Sequence, residues 1–127
     1  MVEFLSDEWI AALDAAAREV ELPPEVTLVV QEVVLDDAGI EHAYALRIDA
    51  GAASVTAGRA EQADVTFTQD ARTAAAIARG DLSAQAAFLA GRVRLGGDAQ
   101  RLVERARELD ALDGAFDGVR AATTWNL

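Results

Sequence analysis

The chain contains no cysteine, which excludes disulfides, thiolate catalysis and thiolate metal sites. It has one histidine, His42, too few nitrogen ligands for a zinc site. Serines number three, Ser6, Ser54 and Ser83, and two of them, Ser6 and Ser83, stand where helix caps are expected. Basic residues are scarce, 11 against 22 acidic ones, for a net charge of −11 and a pI near 4.3. That balance argues against a nucleic-acid backbone or an anionic membrane as partner. No apolar run approaches the roughly 18 residues of a membrane span, so stable membrane insertion is not expected. The opening MVEFLSDEW lacks the basic and apolar regions of a signal peptide, and the closing TTWNL is neither a peroxisomal address nor a prenylation site. A cytoplasmic location is the default expectation.

Apolar residues are plentiful: 52% of the 127 residues are hydrophobic, enough for one domain over residues 1–127 with a substantial core. From Ser6 to Val20, Trp9, Ile10, Leu13, Ala16, Ala17 and Val20 recur at helical spacing on one face. Ser6 is a suitable N-cap, and Pro23-Pro24 ends the segment.

Between Val26 and Phe67 the pattern changes to strand. VTLVVQEVVL is rich in β-branched residues, and the turn DDAG leads into IEHAYALRID. There Ile40, His42, Tyr44, Leu46 and Ile48 share one face, with Glu41, Ala43, Ala45, Arg47 and Asp49 on the other. ASVTAG and DVTFT follow, the latter with Val65 and Phe67 on one side. Four strands without an intervening helix suggest an antiparallel meander.

Helices then return. Asp70 caps ARTAAAIAR, Gly80 ends it, and Ser83 starts a short helix to Ala90. A strand over Arg92–Leu95 keeps Arg92 and Arg94 outward, and Asp98 caps a helix predicted to run from Ala99 to about Leu109. The tail beyond Leu112 has no clear period but holds Phe116, Val119, Trp125 and Leu127.

Reactive groups are few. His42 lies on the apolar register of a strand, where a structural role is expected rather than a catalytic one. Asp36 and Asp37 occupy a turn that favours aspartate, without a calcium-loop pattern around them. GGDAQR precedes a helix but matches no phosphate-loop motif, and Asp98 would repel an anion there. No catalytic residue, metal site or cofactor site is recognisable, and enzymatic activity is not expected.

The stretch ADVTFTQDARTAAAIARGDLSAQAAFLAGRVRLGGDAQRLVE, from Ala63 to Glu104, resembles the sterol carrier protein 2 (SCP-2) family. The likeness rests on Gly80, Leu82, Gln85, Ala87, Phe88, Gly91, Val93, Arg94, Leu95, Gly97 and Asp98, in order and without gaps. The resemblance implies an α+β fold in which helices cover one face of a five-stranded, mostly antiparallel sheet and enclose an apolar tunnel. It implies a non-catalytic carrier of fatty acids, fatty acyl-CoA, sterols or related lipids.

The residues placed to line such a tunnel are Tyr44, Leu46, Ile48, Val65 and Phe67 from the sheet, with Val93 and Leu95 from the last strand. Ile77, Phe88, Leu89, Leu102, Val103 and Leu109 supply the cover. Gln85 is the polar candidate for a headgroup, and Phe116 and Trp125 for a lid. The alanines of AAAIA and AQAAFLA either let the cover draw close or leave room for a ligand. The alternative is an interaction or oligomerisation module with a closed core and no ligand. A homodimer, or an acyl-lipid- or steroid-metabolising enzyme as partner, also stays open.

Overall fold

A computed structural model describes residues 1–125; Leu127, counted above in the tail, lies outside them. The strand order is β4(Ala52–Ala57), β3(Glu41–Asp49), β2(Leu28–Leu35), β5(Val65–Asp70) and β6(Val93–Gly97) in a five-stranded sheet. β2 is central because LVVQEVVL can be buried on both faces: Leu28, Val30 and Val34 are buried on one, Gln31 and Val33 on the other. A hairpin joins β2 to β3, its turn held by Asp36 Oδ1, which accepts from the N–H groups of Ala38 and Ile40 at 2.9 Å each.

The meander expectation fails at the fourth strand. β5 does not pair with β4 but runs parallel to β2 on its far side. The outer edge of β4 is occupied by α1(Asp7–Arg18), whose Asp14 Oδ1 accepts from the Val55 N–H at 2.8 Å. The free edge of β2 is therefore the one left for β5. The crossover is pinned on both sides: Gln31 Oε1 accepts from the Ala60 N–H at 2.5 Å, and Asp64 Oδ2 accepts from the Val29 N–H at 2.7 Å. β6 closes the other edge antiparallel to β5. Gly97 ends it at φ +89°, where a Cβ would collide with the Asp64 carbonyl.

The expected caps are all formed. Ser6 Oγ, Asp70 Oδ1, Ser83 Oγ and Asp98 Oδ1 accept from the N–H groups of Trp9, Thr73, Ala86 and Gln100. They start α1, α2(Ala71–Arg79), α3(Ala84–Leu89) and α4(Ala99–Glu104). The helix predicted from Ala99 to Leu109 is broken at Arg105, whose φ of −113° and ψ of 19° leave the helical region. The chain re-enters as α5(Ala106–Ala115) and continues through α6(Asp117–Ala121). β7(Thr123–Thr124) then pairs in parallel with β1(Val2–Glu3), tying the tail to the N-terminus. Trp9, Leu13 and Ala17 of α1 pack with Leu28, Ile48, Val55 and Leu112 into a dense core at one end of the sheet. No helix among the described residues is long and apolar enough to cross a membrane.

Candidate ligand-binding cavity

The covered sheet face is built from cross-strand rows. One row reads Ala57, Tyr44, Glu32, Phe67, Leu95; the next reads Val55, Leu46, Val30, Val65, Gly97. Over these rows lie α2 and α3, whose facing positions include Ala74, Ala78 and Ala84, together with α5 and α6. Such short side chains leave space, and a partly open cavity of about 1400 Å³ lies between sheet and helices.

Of the residues expected to line a ligand site, Tyr44, Leu46, Phe67, Val93 and Leu95 face it from the sheet. Ile77, Gln85, Phe88, Leu102 and Leu109 face it from the helices, and Phe116 and Trp125 from the tail. Four others stand elsewhere. Ile48 is 1% exposed, paired with Leu28 and Ala53 inside the dense core beneath α1. Val65 is wholly buried between Val30 and Gly97. Leu89 and Val103 are 76% and 71% exposed. α3 is anchored by the buried Ala87, so the position two residues on turns outward. α4 ends one residue after Val103, and its neighbour Leu102 already takes the inward row, about 100° round the helix.

Several lining residues escaped the sequence reading: Phe4, Trp9 and Leu13 from the N-terminal segment, Val30 and Val55 from the sheet, and Leu112. The polar ones were missed as well. Glu32 lies on the covered face because it is in phase with Val30 and Val34; that alternation within VVQEVV was the available signal. Its Oε2 accepts from Gln69 Nε2 at 2.7 Å. Burial pushes the Glu32 carboxyl up to about 8, and the Gln69 hydrogen bond only partly opposes this. Burial, and secondarily Glu32, raises the Tyr44 phenol well above its ordinary range. The Tyr44 ring stands edge-on to Trp9, centroids 5.4 Å apart.

Two arginines line the cavity, and each has other partners. Arg120 bonds to Asp113 and, at 2.9 Å, to Asp117. Arg79 pairs with Asp81 at 3.2 Å and lies 5.7 Å above the Trp125 ring, which in turn packs 5.0 Å from Phe4.

His42 is set apart from this cavity. Its Nε2 lies 3.0 Å from Asp36 Oδ2 beside a smaller space of about 370 Å³ that Ser6 also lines. Ser6 Oγ, however, is engaged in local bonds, donating to the Glu3 carbonyl at 2.6 Å and accepting from the Trp9 N–H. The arrangement is a turn clamp and a helix cap.

The architecture and the match to a family model agree. The SCP-2 sterol transfer family model matches residues 14–108, and the chain belongs to that family. Among curated protein sequences none matches significantly. Of the solved structures, a conserved hypothetical protein from Thermus thermophilus, described as a candidate sterol carrier protein, superimposes with a TM-score of 0.73. It is 20% identical, with 94% of this chain and 91% of that one covered. A crystal structure of sterol carrier protein 2 gives a TM-score of 0.70 at 20% identity, covering 92% and 97%. Palmitated sterol carrier protein 2 like 2 from Aedes aegypti gives 0.63 at 24% identity, covering 84% and 94%.

Proposed function

We propose that this protein is a non-catalytic carrier that holds a lipid-like ligand, an acyl chain or a sterol-like ring system, between the sheet and its helical cover. The observation that carries the reading is the cavity of about 1400 Å³, with alanines on its helical side and Leu46, Phe67 and Leu95 on its sheet side. Family membership and the palmitated mosquito neighbour support the same ligand class. Tyr44, Ile77, Phe88, Leu102 and Leu109 complete the apolar wall, and Phe116 and Trp125 form a lid. The alternative, a closed interaction module, requires an interior filled by side chains.

An acyl chain of about ten methylenes buried there gains about 8 kcal/mol gross, at ~0.8 kcal/mol each. Association costs of several kcal/mol leave an affinity near micromolar, suited to a carrier that must release its cargo. The test is solvent extraction of the purified protein with mass spectrometry, alongside titration of the neutral dye Nile red. Co-purified lipid, or dye binding displaced by acyl or steroid compounds, is expected. A screen that finds no such ligand tighter than about millimolar overturns the reading.

A further inference from the structure

Glu32 is a carboxyl group on the central strand of the sheet, on the face that lines the cavity. Its row neighbours are Tyr44 on β3 and Phe67 on β5. It makes a single side-chain hydrogen bond among the described residues, from Gln69 Nε2 to Oε2 at 2.7 Å. Among those residues no arginine neutralises it, because the two that line the cavity are bonded to Asp81, Asp113 and Asp117. A carboxyl group in such surroundings is hard to explain as packing, since an apolar side chain would fill the row at lower cost.

From this arrangement the geometry points to Glu32 as the specificity-determining anchor of the cavity, selecting a lipid whose inner end is an uncharged hydroxyl over one that ends in an ionised carboxylate. Gln69 is the positioning residue, holding one carboxyl oxygen while the other serves the ligand. The inference rests on the carrier reading and deepens it by naming the headgroup class. In its neutral form, which burial favours, the free oxygen both donates to and accepts from a ligand hydroxyl. A ligand carboxylate brought to the same place finds the cavity's two arginines, Arg79 and Arg120, already paired with Asp81, Asp113 and Asp117. It can accept the Glu32 proton in a hydrogen bond, but it brings a negative charge into the cavity that no free cation among the described residues balances. Gln85, the polar residue singled out from the sequence, lies exposed on α3 and is less suited to reading an inner end.

Dodecan-1-ol and dodecanoate share a chain length and differ in the headgroup. Their displacement of Nile red at pH 7 gives a preference ratio for the native protein, for Glu32→Leu and for Glu32→Gln. Comparing the ratio between proteins cancels the intrinsic difference in hydrophobicity. Glu32→Leu is expected to cut the alcohol-over-carboxylate ratio about tenfold, the size of one lost hydrogen bond to a partner of this kind. Glu32→Gln keeps a donor and an acceptor in the native shape without a titratable proton. It is expected to hold the alcohol affinity and the preference ratio within about twofold at pH 7, because the protonated carboxyl it replaces carries no charge to remove. An unchanged ratio in Glu32→Leu, or a native protein that favours dodecanoate in a Glu32-independent way, overturns the inference and leaves the carrier reading standing. Failure of Nile red and of both dodecyl compounds to bind the native protein overturns both together.

Discussion

Asp14 of α1 accepts a hydrogen bond from the backbone N–H of Val55 across 41 positions of sequence, at 2.8 Å. This one bond satisfies an edge donor of β4 and seats the helix against the sheet. The same carboxylate also accepts from Arg18 Nε, at 2.9 Å, so its charge is held on both sides. The Val55 N–H, first among the causes, holds the Asp14 carboxyl below its ordinary range.

Asp14→Ala is therefore expected to destabilise the fold by about 1–2 kcal/mol, and Asp14→Asn, which keeps an acceptor, by less. The depressed carboxyl contributes stability above its unfolded pKa near 3.8, lost as pH falls through the lower folded value. The check is the urea midpoint of each variant at neutral pH and at pH 3.

Glu32 acts in the opposite direction. Its carboxyl ionises at about 8 in the fold and at 4.5 as its ordinary value, so between those values the folded chain keeps a proton that the unfolded chain releases. Stability thus falls as pH rises through that window, by at most about 1.4 kcal/mol per pH unit, and levels off above it. Glu32→Gln should remove this slope and raise the urea midpoint at pH 8 more than at pH 5. Parallel native and variant profiles would contradict the burial of the group.

Two glycines of the family stretch should respond differently to alanine. At Gly97 the φ is +89° and the new methyl would strike the Asp64 carbonyl, whereas at Gly91 the φ is +77° but the space is open. Gly91→Ala is expected to cost about 1 kcal/mol, the backbone penalty alone. Gly97→Ala adds a backbone clash at the β5–β6 junction and should cost well above that. Thermal unfolding of the two variants decides it.

The four residues that the sequence groups with the site, but the fold places elsewhere, should separate by mutation. Ile48→Ala and Val65→Ala, in fully packed surroundings, are expected to cost about 2–4 and 1–3 kcal/mol by the cavity penalty. Leu89→Ser and Val103→Ser, largely exposed, should stay within about 0.5 kcal/mol. Denaturant titration measures the stability, and Nile red affinity should change little in the two serine variants.

The tail gives a functional counterpart. Trp125 touches Phe4 and lies under Arg79 at the cavity wall. Trp125→Ala is expected to weaken Nile red binding several-fold and speed its release, with under about 2 kcal/mol lost from the fold. Deletion of Asp113–Leu127 should do more, because it also removes Phe116 and the β1–β7 pairing. Unchanged affinity in both would remove the lid.

Elements and caps were legible because they depend on neighbours a few residues apart. Ser6, Asp70, Ser83 and Asp98 could be placed from their position before an apolar run, and all four make the expected bond. Strand alternation put Tyr44, Leu46 and Phe67 on the correct face. The parallel crossover of β5 was not legible, since it depends on which strand edge α1 leaves free. Nor was the break at Arg105, where residues of ordinary helix propensity leave the helical region and the chain starts a new phase.

What the amino-acid order determined by itself is the run of elements from α1 to the start of α4, their capped helix starts, the apolar faces and the family stretch from Ala63 to Glu104. It did not determine β1, the break into α5, α6 or β7. Periodicity and capping are short-range properties, written wherever they act. Only the tertiary structure decided that the alanine-rich cover stands off from the sheet, that Ile48 and Val65 are packed core while Leu89 and Val103 face outward, and that Glu32 is carried into the cavity. Those outcomes depend on the distance between two layers, which the dense core around Trp9, Leu13 and Leu112 props at one end. No local pattern encodes that distance, because it is the balance of packing among residues far apart in the chain.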